Sequence, residues 1–235
     1  MIRPIIEELI RLFYPVSCLA CGSGRQLLCP DCRAGIDLSG MPTCPVCGIP
    51  FPHTAGNDHR CAACLRGDHA FDLARSAVLY QGAARQLLRD FKYRRDFSAL
   101  PLFTRLLRGQ LPEWLPAEAD IVLPVPLHLK RLRDRGFNQA LVLARGLCHA
   151  RPETIDPFVL VRDRWTVPQT SLHGRERRRN LQNAFQVKHP ERVRNKTVLL
   201  VDDVMTTGTT ANECARVLKK NGAARVLVAT LARVP

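Results

Sequence analysis

The chain has 235 residues, 46% hydrophobic and 24% charged, which suits one domain of ordinary size plus a small one and excludes wholesale disorder. Its 35 Lys and Arg against 21 Asp and Glu leave a net +14; between Ile121 and Asn195 there are 15 basic and 6 acidic residues, so +9 of that excess is concentrated there. Such a field favours phosphate-rich partners (nucleotide, diphosphate or nucleic acid), with a generally basic surface as the plainer reading.

The N-terminal MIRPIIEELIRLFYP is broken by Arg3, Glu7, Glu8 and Arg11, so it reads neither as a secretion signal nor as the roughly 20 apolar residues that span a bilayer. Ile2, Ile5, Ile6, Leu9, Ile10 and Phe13 share one helical face instead, and a cytoplasmic location is expected. Eight of the ten cysteines follow as four CxxC pairs: Cys18/Cys21, Cys29/Cys32, Cys44/Cys47 and Cys61/Cys64. A reducing compartment disfavours a disulfide framework, and a redox motif normally occurs once, so the pattern predicts two structural four-cysteine sites for Zn2+. Sequential pairing closes the shorter loops, placing 18/21 with 29/32 and 44/47 with 61/64. His53, His59 and His69 read as loop residues rather than ligands. Little apolar content lies between Leu12 and Asp68, so metal should supply most of that segment's folding energy. Chelation is then expected to unfold it and leave the later domain largely folded. The domain division is drawn at residues 1–70 and 71–235.

Beyond the cysteines, Leu73–Tyr80 reads as a strand, Ala83–Arg94 and Ser98–Gln110 as helices, and LPEWLPAEA as a Pro-rich linker. Ile121–Val125 is a second strand. The run LHLKRLRDRGFNQ then sets Lys130, Arg131, Arg133, Arg135 and Gly136 before a helix at Asn138–Ala150. Guanidinium forks suit bidentate contacts to a diphosphate, and a solvated basic helix start is the alternative. A strand at Pro157–Val161 leads into the polar loop RDRWTVPQTSLHGRERRRN. Cys148 and Cys214 fall on apolar helical faces and read as core thiols.

The most informative stretch is Val198–Thr210, VLLVDDVMTTGTT. A buried strand, two acids and a short polar turn opening a helix from about Ala211 make an anion site, because N–H groups and the positive dipole end point outward. Gly208 lets the backbone approach a phosphate, Thr206, Thr207, Thr209 and Thr210 add donors, and Asp202 and Asp203 suit ribose hydroxyls or Mg2+. Capping by two acids in an unrelated α/β protein is the bland alternative. A last strand is expected at Val226–Leu231. Strands alternating with helices predict an α/β fold with a mostly parallel sheet flanked by helices, its site along the carboxyl edge.

This run resembles the phosphoribosyl-diphosphate (PRPP) motif of type I phosphoribosyltransferases. The resemblance implies Asp202 and Asp203 on the ribose hydroxyls and Met205–Thr210 around the 5′-phosphate. With the cysteine pairs, LKRLRDRGFNQA and WTVPQTSLHGRERRRNLQNAF in the same order, the chain resembles the ComF/GntX family of phosphoribosyltransferase-like proteins with an N-terminal double zinc ribbon. That resemblance implies a cytoplasmic protein linked in several members to natural transformation and single-stranded DNA. It also places a mobile loop at Thr166, Gln169 and Leu172, with Arg175, Arg178 and Asn180 beyond. Lys92 reaches the diphosphate or is a surface lysine.

Three functions stay open on these residues. One is a phosphoribosyltransferase, a pentosyl transferase displacing diphosphate from PRPP with Mg2+ and using Asp202, Asp203, Gln169 and Arg135. A second is a nucleic-acid-binding protein that keeps the PRPP fold as a sensor or scaffold and contacts the backbone of single-stranded DNA through Arg175, Arg177, Arg178 and Arg179. The third is a zinc-ribbon interaction module docking a helicase-like or DNA-processing partner. The favoured combination is PRPP binding together with single-stranded DNA contact, without a membrane.

Overall fold

The computed structural model describes residues 17–24, 26–38, 42–51, 57–164 and 183–235. The expected N-terminal helix, His53, Thr166, Gln169, Leu172 and Arg175–Asn180 lie outside the described residues.

Four strands, β1 (Leu73–Leu79), β2 (Ile121–Pro124), β5 (Thr197–Met205) and β6 (Arg225–Arg233), form one all-parallel sheet in the order β1-β6-β5-β2. Leu123 pairs with Leu200 and Leu199 with Leu227. The runs Ile121–Leu123 and Val198–Val201 are continuous rather than alternating because both faces of the sheet are covered. One face carries α3 (Gly82–Arg89), α4 (Leu100–Gln110) and α7 (Gln139–Leu147), whose Leu88, Phe103 and Leu143 meet Leu199 and Leu227. The other carries α8 (Thr209–Lys220), with Cys214 and Leu218 against Leu200 and Val228. From β2 the chain runs through α7 to a parallel bridge between Val122 and Ile155, whereas β5 lies on the opposite side of β2. The strand order therefore reverses between β2 and β5, and a crevice opens at their carboxyl ends.

Consecutive residues of an unbroken strand face opposite sides. Here Val201 and Val204 face the α3/α4 layer alike, as do the adjacent pairs Leu231/Ala232 and Ala77/Val78. The pleat shifts in step across three strands, and on β5 the two acids occupy the shift. Asp202 and Asp203 are thus part of β5, not of a loop beyond it, and the following turn is only Thr206–Gly208 before α8 begins at Thr209.

Other boundaries differ from the sequence reading for local reasons. The helix expected through Arg94 changes to a π-helix at Asp90–Arg94 and stops at Arg95, in the left-handed region at φ 58. The basic run forms a separate helix, α6 (Leu129–Arg135), capped by the His128 side chain and closed by Gly136 at φ 80. The strand expected at Pro157–Val161 is β3 (Leu160–Arg162), antiparallel to the unforeseen β4 (Phe185–Val187) and off the main sheet.

The cysteine segments, which include the short helices α1 (Pro30–Ala34) and α2 (Ala62–Leu65), pack against the sheet; α5 (Trp114–Ala117) lies between α4 and β2. Cys18 and Leu28 join the α3/α4 core, while Cys44, Cys47 and Phe71 join the α8 core. The outer edge of β1 is paired by them: Ala74 N–H donates to Val46 at 2.7 Å and Leu79 N–H to Asp37 at 2.8 Å. A bare edge strand is thereby covered. Among the described residues no helix is long and apolar enough to cross a membrane.

Candidate functional site

A cleft of about 730 Å³ opens at the carboxyl ends of β2 and β5. Asp202 and Asp203 form its floor, and it continues past Lys92 and Tyr93 into a smaller pocket of about 240 Å³ lined by Met205, Thr206, Gly208, Thr209 and Thr210. Gly208 is the N-cap of α8 at φ 75 and offers no side chain to the first-turn N–H groups. Any other side chain is strained at that φ, so the loop is built around glycine. Thr207 stands beside the pocket and shares a 2.7 Å hydrogen bond with Thr209.

The acids are held differently. Lys92, on the π-helix, pairs with Asp203 at 3.0 Å, both side chains nearly buried. Burial alone would lower the Lys92 pKa, but Asp203 and then Asp202 carry it above the ordinary lysine value. Asp202 accepts the Asp203 N–H at 2.8 Å, and its carboxyl is pushed up to about 7, first by burial and then by the charge of Asp203. Two adjacent carboxylates suit a hard divalent cation or a diol.

The opposite wall is cationic. Arg131 and Arg135 line the cleft from α6, and Arg135 lies 5.3 Å over the Tyr93 ring. Burial and the neighbouring Arg135 lower the Arg131 pKa. Arg162, 8% exposed over Phe185, is pushed down to about 10 by burial and by Arg131.

Away from the cleft, two groups of four thiols lie with their sulfurs within 4.8 Å of one another: Cys18, Cys21, Cys29, Cys32 and Cys44, Cys47, Cys61, Cys64. All are free cysteines. The sulfurs of Cys21 and Cys29 are 3.8 Å apart and those of Cys47 and Cys61 are 3.7 Å apart. A tetrahedron with Zn–S near 2.3 Å has an edge of about 3.8 Å, so both groups fit the ion. Backbone N–H groups of Cys29 and Cys61 reach the sulfurs of Cys18 and Cys44 at 3.4 Å, as thiolate ligands require.

The family model described as double zinc ribbon domain matches residues 9–65, and that described as phosphoribosyl transferase domain matches residues 135–235. The chain is 36% identical to "DNA utilization protein YhgH" of Salmonella typhi, over 88% of this chain and 90% of the relative. The chain belongs to the ComF/GntX family. It is also 29% identical to "Competence protein F" of Haemophilus influenzae, covering 94% of this chain and 98% of that one. "Competence protein ComFC" of Bacillus subtilis is 28% identical over 88% of this chain and 85% of its own.

In this ComF-family chain the two four-thiol groups are zinc sites, paired sequentially as their spacing suggested. Elemental analysis of protein made without added metal should find two Zn2+ per chain; one equivalent or none would contradict this. Of the expected cleft residues, the structure brings Lys92, Arg131, Arg135, Asp202, Asp203, Met205, Thr206, Gly208, Thr209 and Thr210 together. Lys130 and Arg133 are instead exposed on α6, outside the residues that line the cleft. The Gly136 N–H, expected to face a diphosphate, donates to Leu132 at 2.7 Å, because a helix closed in the left-handed conformation uses that amide itself. Gln169, Arg175, Arg177, Arg178 and Arg179 lie outside the described residues. Sequence reasoning missed Arg162 and Gln139. Gln139 is 1% exposed, and its Nε2 has no hydrogen-bond partner among the described residues although it lines the cleft. Its place directly after the helix-capping Asn138 was the available signal.

Proposed function

We propose that the protein is a cytoplasmic, ComF-type phosphoribosyltransferase-like protein that binds PRPP with Mg2+ in this cleft and contacts single-stranded DNA during DNA uptake. The observation that carries the reading is the meeting of three partial sites in one crevice: a glycine-built anion loop, an acid pair and a guanidinium wall. The 5′-phosphate would sit on Thr206–Thr210, the ribose hydroxyls on Asp202 and Asp203, and the diphosphate toward Arg131, Arg135 and Lys92. Mg2+ held by the acids would neutralise the diphosphate as it leaves. In a transfer, the acceptor's lone pair forms the bond to C1 as the C1–oxygen bond breaks. Diphosphate then departs with that electron pair and the acceptor's proton is released to solvent. Arg131 and Arg135 would stabilise the departing charge, and closure by the segment containing Gln169 would exclude water.

Calorimetric titration with PRPP, with and without Mg2+, tests this. A carboxyl titrating at about 7 is protonated below that pH and then holds a cation poorly. The Mg2+-dependent affinity should therefore fall as pH drops through 7, by up to about tenfold per unit. No binding at millimolar PRPP, or a flat profile between pH 6 and 8, would refute the assignment.

The DNA part rests on charge. Arg94, Arg95, Arg131 and Arg135 line one mouth, beside Tyr93, which is 66% exposed. Four or five phosphate contacts, at about −0.7 each, predict a slope near −3 for log K against log salt. Replacing Arg177, Arg178 and Arg179 with alanine should flatten that slope with zinc content unchanged. A slope near zero in the wild type would remove the DNA role from this domain. The ribbons expose Leu27 and Leu65, at 58% and 71%, and are where a helicase-like or DNA-processing partner would dock.

A further inference from the structure

One wall of the cleft is built where α7 starts beside the end of β2. Asn138 fixes that junction from both sides. Its Nδ2 donates to the Val125 carbonyl at 3.1 Å, and its Oδ1 accepts the Ala140 N–H at 2.9 Å and the Leu141 N–H at 3.4 Å. Ala140 is buried in one core with Val125 and Leu160. The helix end is thus satisfied by its own cap. Gln139, the first residue of α7, has no capping task and lines the cleft.

The Gln139 side chain is buried, and its Nε2 has no hydrogen-bond partner among the described residues. Buried polar groups are nearly always paired, because an unmade hydrogen bond leaves the whole desolvation cost standing. An apolar side chain of the same length would fill that space more cheaply. An amide kept there, in the wall of a cleft, fits a donor whose acceptor arrives with the ligand. The groups that share the cleft narrow the ligand's chemistry. Arg162 pairs in register with Phe185 and lies 5.4 Å over its ring, so the β3–β4 hairpin fixes a nearly buried guanidinium. Arg131 lines the same cleft. The acids on the floor are engaged with each other and with Lys92: Asp203 pairs with Lys92 at 3.0 Å, and Asp202 accepts the Asp203 N–H at 2.8 Å. An amide donor beside two guanidiniums suits an oxyanion, which accepts from all three.

We propose that Gln139 is a ligand-binding residue that donates from Nε2 to a diphosphate oxygen, with Arg162 and Arg131 supplying the positive charge around it. A neutral amide orients that oxygen without adding a charge that would have to be buried when the cleft is empty. Naming the ligand as a diphosphate rests on the PRPP reading above; the unpartnered donor itself does not.

Thermal melting and calorimetric titration of the zinc-loaded full chain test this, with Mg2+-diphosphate, PRPP and ribose 5-phosphate as probes. Gln139→Met keeps the side chain's length and removes the donor. It should raise the melting temperature of the ligand-free protein by about 2 °C or more. It should also weaken diphosphate and PRPP at least tenfold and leave ribose 5-phosphate unchanged. Gln139→Glu turns the donor into an anionic acceptor and should weaken diphosphate further still. A lower melting temperature in Gln139→Met means that the amide has a partner within the protein, and overturns the proposal. Diphosphate affinity equal to wild type in either variant overturns the assignment and leaves the PRPP reading standing. Equal weakening of ribose 5-phosphate makes Gln139 a prop for the whole cleft and also overturns it. Wild-type protein that binds neither PRPP nor diphosphate sinks both readings. Should Gln139→Met fail to fold, the diphosphate affinity of Gln139→Glu decides alone.

Discussion

Replacing the two neighbouring acids one at a time should shift stability in opposite directions while weakening PRPP binding in both cases. Asp203→Asn leaves the Lys92 ammonium nearly buried with its partner carboxylate gone. Breaking such a pair costs about 3 kcal/mol, because the surviving charge stays desolvated. Asp202→Asn does the reverse. Its carboxyl titrates at about 7 when folded, against 3.8 in the unfolded chain. A raised carboxyl pKa means that the folded state holds a proton the unfolded state has lost, so stability falls as pH rises from about 4 to 7. Removing that carboxyl should stabilise the ligand-free protein by on the order of 1 kcal/mol or more at pH 8, and by nothing below about pH 4. An Asn side-chain oxygen can still accept the Asp203 N–H. Affinity for PRPP should fall at least tenfold in each variant, about 1.4 kcal/mol. Urea unfolding at pH 4 and 8 with calorimetric titration decides it. Destabilisation of equal size by both substitutions would mean that Lys92 serves the two acids alike.

Metal removal should have the largest effect. The sequence suggested a ribbon that unfolds alone, leaving residues beyond Asp68 largely intact. The structure points elsewhere, because Cys18 and Leu28 complete one core and Cys44, Cys47 and Phe71 the other. The ribbons also pair the outer edge of β1. Structural Zn2+ contributes about 10–16 kcal/mol in isolated fingers, far above the usual stability of a domain. Chelation should therefore lower the melting temperature of the whole chain and expose β1 to hydrogen exchange. A residue 71–235 domain that melts unchanged after chelation would restore the modular picture.

Those two results separate what is written locally in the chain from what is not. The zinc sites were legible because CxxC spacing fixes where four thiolates can meet, and the sheet because buried parallel strands need unbroken runs such as Val198–Val201. The anion loop was legible because strand, acids, glycine and helix are consecutive. Helix α6 was not. It buries no residue, so it has no apolar stripe, and it is held by the His128 cap and Gly136. The β3–β4 hairpin has three-residue strands separated by 22 residues, too short for an alternation to show. Tertiary structure alone decided the rest. Lys92 meets Asp203 only because a π-helical turn faces the end of β5, and the paired pleat shift brings both acids to one cleft. Arg75 reaches the Pro45 carbonyl, 30 positions earlier in the chain, only because β1 is laid beside a ribbon knuckle. Local sequence records spacing along the chain; charges buried across it find their partners only when the strands are laid side by side.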